Sequence, residues 1–118
     1  MNIPEQLTYF YYEFEGWHKE KMRYDEALKY HTDIFNSGNC ITVRDGELLV
    51  GYLEFYLEGE ECYIKNMYIR EEYRNGETIK MLKKRLFDVA KDCTLFKGER
   101  NYNGEREWEA INRKAPRQ

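Results

Sequence analysis

From Ile64 to Leu82 the chain reads IKNMYIREEYRNGETIKML, and the folding of this stretch decides the architecture. Its first part belongs to an apolar and aromatic run over about 62–69 that predicts a strand. Its last part opens a helix over Glu77 to Lys91, where Ile79, Leu82, Leu86 and Val89 recur at helical spacing and Lys80, Lys83, Lys84 and Lys91 occupy the remainder. Such a basic run is most simply a solvated face, though it also suits an anionic ligand. A further strand is expected from about Thr94 to Asn101. A strand–helix–strand unit in one sheet closes right-handed, which lays this strand parallel to 62–69.

Working toward the N-terminus, Arg44-Asp45-Gly46-Glu47 supplies the signal of a tight hairpin turn between strands of about 40–44 and 47–57. A two-residue loop at Asp45-Gly46 places Val43 opposite Leu48 and Ile41 opposite Val50. The next turn, around Gly59-Glu60, puts Leu57 opposite Cys62, Glu54 opposite Lys65 and Tyr52 opposite Met67. Alternation then assigns Ile41, Val43, Leu48, Val50, Tyr52 and Met67 to one face, and Leu49, Leu53, Phe55, Leu57, Ile64 and Tyr68 to the other. Both faces are apolar, so helices are expected on both. Two candidates precede the strands. Pro4 with Glu5 starts a ring-rich helix that carries Leu7, Phe10, Phe14 and Trp17 on one side. Tyr24 to Phe35 forms a second, ended by Asn36-Ser37-Gly38-Asn39. At the other end Asn103-Gly104 predicts a hairpin pairing Tyr102 with Glu105, Arg100 with Glu107 and Phe96 with Ile111, before a polar tail from Arg113 to Gln118. The expectation is one α/β (α+β) domain over 1–118: a mixed sheet made of an antiparallel meander plus a parallel strand after a crossover helix, helices on both faces, and a C-terminal hairpin.

Composition narrows the function. At 118 residues, 42% hydrophobic and 35% charged, the chain suits one compact core. Eleven Tyr and six Phe mean that this core is built largely from rings whose hydroxyls need partners. A net charge of −3 gives no footprint for nucleic acid. Cys40, Cys62 and Cys93 are widely spaced, with no paired motif and no nearby histidine, so neither a metal site nor a disulfide framework is expected and the thiols read as small buried groups. His18 and His31 read as surface or packing histidines. No window has the length or apolarity to span a bilayer, and no secretory leader is visible, so the expected location is cytoplasmic.

The order of two helices, three antiparallel strands, a helix, a parallel strand and a last strand resembles the GNAT (GCN5-related N-acetyltransferase) family over about 38–101. Met67-Tyr68-Ile69-Arg70-Glu71-Glu72-Tyr73-Arg74 is similar to that family's strand end and its P-x-Y-R lead into the pyrophosphate loop. The resemblance implies that backbone groups at Met67 and Ile69 bind the pantetheine arm of acetyl-CoA. It implies equally that Arg74, Asn75, Gly76, Glu77 and Thr78 form the pyrophosphate loop. The family's loop reads Q/R-x-x-G-x-G/A. Here Arg74 matches, while Glu77 and Ile79 replace both glycines. Glycine lets backbone amides approach phosphate closely, and Glu77 adds bulk and negative charge where a helix N-terminus favours an anion.

Acyl transfer to an amine also needs a base and an acid. Glu54 is the candidate base, and its predicted place opposite Lys65 equally describes a cross-strand ion pair. The resemblance implies an acid for the departing thiolate from a Tyr on a helix after the fifth strand, where this chain turns into a hairpin at Asn103-Gly104 instead, so Tyr102 and Tyr73 are the fallback candidates. Two functions fit. One is acetyl transfer from acetyl-CoA to an amine of a small molecule or protein. The other is a catalytically inactive, phage-type relative that binds a protein partner through its aromatic first helix and the hairpin bearing Trp108 and Ile111. A homo-oligomer is compatible with either.

Overall fold

A computed structural model describes residues 1–13, 21–102 and 105–111, with side chains placed for 1–13 and 21–98. Helix α1 (Ile3–Glu13) begins where Asn2 and Glu5 cap each other. Asn2 Oδ1 accepts from Glu5 N at 2.9 Å, and Glu5 Oε1 accepts from Asn2 N at 3.0 Å. This reciprocal box satisfies amides that a helix start leaves without partners. The expected continuation through Phe14 and Trp17 lies outside the described residues, as do His18, Asn103-Gly104 and the polar tail. Helix α2 (Tyr24–Asn36) ends at Ser37 and Gly38, the latter in the left-handed region with φ +81°.

Strands β1 (Cys40–Asp45), β2 (Leu48–Glu58) and β3 (Glu61–Ile69) form the antiparallel meander. A short 3-10 turn (Glu71–Tyr73) leads into α3 (Glu77–Val89), and β4 (Leu95–Tyr102) then pairs parallel to β3. Strand β5 (Glu105–Ile111) closes the sheet in the order β1-β2-β3-β4-β5. The last hairpin has the expected register, with Tyr102 opposite Glu105, Arg100 opposite Glu107 and Phe96 opposite Ile111.

The register of the first hairpin differs from the expectation. Asp45 faces Leu48 and Arg44 faces Leu49, but Val43 faces Gly51 and Ile41 faces Leu53. Two causes act together. The turn is Gly46-Glu47, one residue later than Asp45-Gly46, with Gly46 at φ +60°. Val50 is then an extra residue with no partner, a β-bulge that inverts the alternation beyond it. Leu49 and Tyr52 therefore face α1, while Val50, Leu53 and Phe55 face α3. Val50 and Tyr52 were expected to share a face, as were Leu49 and Leu53; the bulge separates both pairs. In the second hairpin Leu57 does face Cys62, but Glu54 faces Asn66 and Tyr52 faces Tyr68, because Lys65 is a second bulged residue.

Each face of the sheet has its own core, as two apolar faces require. One packs α3 through Leu82 and Leu86 onto Ile41, Val43, Val50, Leu53, Phe55, Cys62 and Phe96. The other packs α1 through Ile3, Leu7 and Phe10 onto Leu49 and Tyr52, with Phe35 and Tyr68 at its margin. Among the described residues, no buried side-chain nitrogen or oxygen lacks a hydrogen-bond partner.

Gln6 ties α1 to the start of β2. Its Oε1 accepts from Leu49 N at 2.7 Å and its Nε2 donates to Glu47 O at 2.9 Å. These are backbone groups that the strand ladder leaves open at the hairpin end. Gln6→Leu should cost about 1–3 kcal/mol, the range for stranding a buried donor, because Leu49 is fully buried even though Glu47 is exposed. Urea denaturation checks this, and an unchanged midpoint would contradict it.

His31 is buried between α1 and α2. Its Nδ1 lies 2.7 Å from Ala27 O and 3.1 Å from Thr8 Oγ1, while Thr8 Oγ1 donates to Pro4 O. A carbonyl only accepts, so Nδ1 carries the proton. Burial lowers the pKa below the usual 6.5, partly offset by the Ala27 carbonyl and Glu54. As pH falls through 6.5 the unfolded chain takes up this proton before the folded one does. Stability is thus full above 6.5 and declines below it, toward the folded value. Denaturation across that window should show the decline, and His31→Gln should flatten it. An equal slope in the variant would contradict the assignment.

Candidate functional site

Pairing between β3 and β4 stops at Ile64 opposite Gly98, although both strands continue, β3 to Ile69 and β4 to Tyr102. From Lys65 onward, β3 therefore has an edge free of β4. The backbone there has a definite direction. Arg70 N donates to Val50 O at 2.8 Å, so Arg70 turns its amide toward β2. Successive backbone groups in a strand alternate sides, which turns the amides and carbonyls of Ile69 and Met67 away from β2 and into the gap. At this gap lies a pocket of about 280 Å³ lined by Met67, Tyr68, Ile69, Arg74 and Ile79.

Arg74 is fixed at the pocket wall. Its Nε donates to Ile69 O at 2.8 Å and its guanidinium lies 5.3 Å from the Tyr68 ring centre. Gly76 caps α3 at φ +89°, a backbone state that glycine adopts without strain. The first bond of the helix ladder runs from Lys80 N to Gly76 O, at 3.0 Å. The amides of Glu77, Thr78 and Ile79 precede it and take no helical partner. The amide of Glu77 is bonded by Asn75 Oδ1 at 3.2 Å. The Glu77 side chain is exposed and is not among the pocket-lining residues, so it does not fill the pocket. Thr78 is buried against Gly51 of β2, which seats the first turn of α3 on the sheet.

Glu54 lies on the α2 side of β2, only 5% exposed. Tyr30 of α2 donates its hydroxyl to Oε2 at 2.5 Å, and Asn66 Nδ2 donates to Oε1 at 3.1 Å. Lys65 Nζ stands 3.7 Å from Oε2 and donates to the Tyr30 hydroxyl at 3.0 Å. The ion pair read from the sequence is therefore formed, though from a bulged lysine and not from a directly opposite one. Tyr73 donates to Asp45 at 2.8 Å, and that bond raises its pKa, fastening the 3-10 turn to the β1–β2 hairpin. Tyr102 ends β4 beyond its pairing with β3, and its side chain lies outside the described ones. Trp108 and Ile111 lie in β5, also without described side chains.

The cysteines are not built for nucleophilic chemistry. Burial, helped by Glu54, pushes Cys40 up to about 12, and burial, helped by Cys93, pushes Cys62 up to about 12. Cys93 is buried and raised as well. Among the described residues no group of three or more His, Cys, Asp and Glu is placed to hold a metal, and no helix is long and apolar enough to cross a membrane.

Sequence reasoning missed Tyr30, Asn66 and Gly51. Tyr30 reaches Glu54 from 24 positions away, and no local pattern announces such a contact. Asn66 entered only through the bulge at Lys65. Gly51 carried a usable signal, an isolated glycine within a strand pattern, which often marks close approach of another backbone.

Comparison with known proteins agrees with this geometry. The family model described as acetyltransferase (GNAT) family matches residues 5–103. No curated protein sequence matches the chain. Among solved structures, the diaminobutyrate acetyltransferase EctA of Paenibacillus lautus, in complex with L-2,4-diaminobutyric acid and coenzyme A, is similar at a TM-score of 0.63 and 10% identity, over 83% of this chain and 60% of that one. The PaiA N-acetyltransferase of Thermoplasma acidophilum, in complex with coenzyme A, gives 0.62 and 14%, over 88% and 78%. The ribosomal-protein-alanine N-acetyltransferase of Brucella melitensis biovar Abortus gives 0.57 and 17%, over 74% and 64%. The chain thus spans less than two thirds of the length of the first and third of these. At such identities the neighbours show the fold, and the family match covers most of the chain: it belongs to the acetyltransferase (GNAT) family.

Proposed function

We propose that this chain is an N-acetyltransferase that moves an acetyl group from acetyl-CoA to an amine of a small molecule or a protein. The observation that carries this reading is the early end of the β3–β4 pairing, which leaves inward-facing backbone at Met67 and Ile69 beside a pocket walled by Arg74 and the first turn of α3. The donor set suits a thioester cofactor with a pyrophosphate. Strand amides are matched to the amide-rich pantetheine arm, while a fixed guanidinium and helix-start amides are matched to phosphate.

Met67 and Ile69 would hold the pantetheine arm through their backbone groups, one lone pair of the Ile69 carbonyl being already taken by Arg74. Arg74 and the amides of Gly76 and Thr78 would hold the pyrophosphate. Asn75 keeps the amide of Glu77 occupied, so Glu77 contributes position within the loop and no donor. Acetyl-CoA, when bound, supplies the acyl group as a thioester. Glu54, steadied by Tyr30 and Asn66, would take the proton of the acceptor ammonium, and Tyr102 would supply the proton that the thiol leaving group needs.

Thermal melting with acetyl-CoA tests the reading. A ligand at about 100 times its Kd stabilises by about 2.7 kcal/mol. Arg74→Ala should weaken binding about tenfold, as expected for loss of a charge-assisted contact. An unchanged melting temperature with millimolar acetyl-CoA would contradict the reading.

A further inference from the structure

Lys65 occupies a position with chemistry that its ion pair alone does not use. It is the first residue of β3 beyond the pairing with β4, and as the bulged residue it stands opposite no residue of β2. Its ammonium is 3.7 Å from the buried Glu54 carboxylate and 3.0 Å from the Tyr30 hydroxyl, which itself donates to Glu54. The side chain is 35% exposed, so its amine is reachable while its base is not washed by solvent. Two residues further along the same strand, Met67 begins the pocket wall. An amine, a carboxylate base and the mouth of the proposed acyl site are thus assembled within one chain.

We infer that Lys65 is an acetyl acceptor, and that the protein acetylates itself there from acetyl-CoA; this rests on the acetyl-CoA reading above. The Lys65 ammonium gives one proton to Glu54, directly or through the Tyr30 hydroxyl. The freed Nζ lone pair forms a C–N bond to the thioester carbonyl carbon as the C–S bond breaks. Nζ then loses its second proton, and the departing thiolate gains one to leave as the CoA thiol. The balance is one ammonium and one thioester giving one amide, one thiol and one released proton. Acetylation removes the positive charge facing Glu54 and leaves the carboxylate with Tyr30 and Asn66 as its hydrogen-bond donors.

Acetyl-CoA is incubated with the purified full chain, and the product is read by intact mass and peptide mapping, with acetyl-CoA binding measured separately by calorimetry. The expected result is a gain of one acetyl group located at Lys65, at a rate per molecule that does not depend on protein concentration and saturates with acetyl-CoA. Lys80, Lys83 and Lys84 of α3 are exposed and serve as internal references for uncatalysed acetylation. Lys65→Arg should abolish the single product. Glu54→Gln should slow it about 100-fold, the lower range for a positioned base. Tyr30→Phe, which keeps the carboxylate, provides a second variant if the first fails to fold, and should slow it as well. Binding of acetyl-CoA with Lys65 unmodified, or modified no faster than the α3 lysines, would overturn this inference and leave the transferase reading standing. Absence of binding would bring down both.

Discussion

Phe10→Ala lowers the unfolding free energy by about 3–5 kcal/mol. The ring is fully buried and meets Tyr52 at 6.1 Å and Tyr68 at 5.1 Å between centroids, while the Arg70 guanidinium lies over it at 4.7 Å. It therefore joins α1 to β2 and to the end of β3, where the chain turns toward the pocket. Removing it opens a cavity beneath Tyr68 and takes away the aromatic surface on which Arg70 rests. Arg70 also donates from Nε to Leu49 O at 2.7 Å, so part of the 3-10 turn's anchorage survives. Chemical denaturation should show the large loss with an unchanged slope, and Phe10→Leu should recover much of it. A loss below about 1 kcal/mol would mean that α1 is not integral to this core.

Gly51→Val tests how the pocket is seated, and should cost about 2–3 kcal/mol by overpacking. A Cβ at this position would stand 3.2 Å from Ile69 Cγ1, 3.3 Å from Thr78 Cγ2 and 3.3 Å from the Tyr68 carbonyl oxygen. The two side-chain carbons have little room because Ile69 and Thr78 are themselves buried, and the carbonyl belongs to a paired strand. The only relief is to push β3 and the first turn of α3 away from β2. Those are the two elements that wall the pocket, so the variant should also bind acetyl-CoA more weakly than its loss of stability explains. Wild-type affinity in a destabilised but folded Gly51→Val would show that the pocket does not depend on this contact. Gly38, Gly46, Gly59 and Gly76 have nothing within 4 Å of such an atom, which sets Gly51 apart as a packing glycine.

The elements were legible because local chemistry writes them plainly: helical spacing in α3, and the turns around Gly46 and Gly59. The parallel placement of β4 followed from the handedness of a strand–helix–strand unit, and the last hairpin from its Asn-Gly turn. Register in the meander was not legible, for a physical reason. Leu49, Val50, Gly51, Tyr52 and Leu53 are apolar on both faces, so a bulge at Val50 leaves every residue in an acceptable environment and the hydrophobic pattern cannot reveal it. Lys65 shows the same limit in a polar setting, since the ion pair expected of a directly opposite lysine forms from the bulged position. At the candidate site, Met67, Ile69 and Arg74 came from resemblance to a family motif. The pocket they border depends on where β3 and β4 part, which is a tertiary property. Tyr30 and Gln6 act across 24 and 41 positions, beyond what spacing within one segment records.

Amide NMR of the uniformly labelled chain, titrated with acetyl-CoA, tests most directly whether the opening between β3 and β4 is a cofactor site. The amides of Met67 and Ile69, together with those of Gly76 and Thr78 at the start of α3, should shift in a saturable manner while those of α1 stay in place. Resonances that do not move at millimolar acetyl-CoA, or shifts gathered away from β3 and the start of α3, would contradict it.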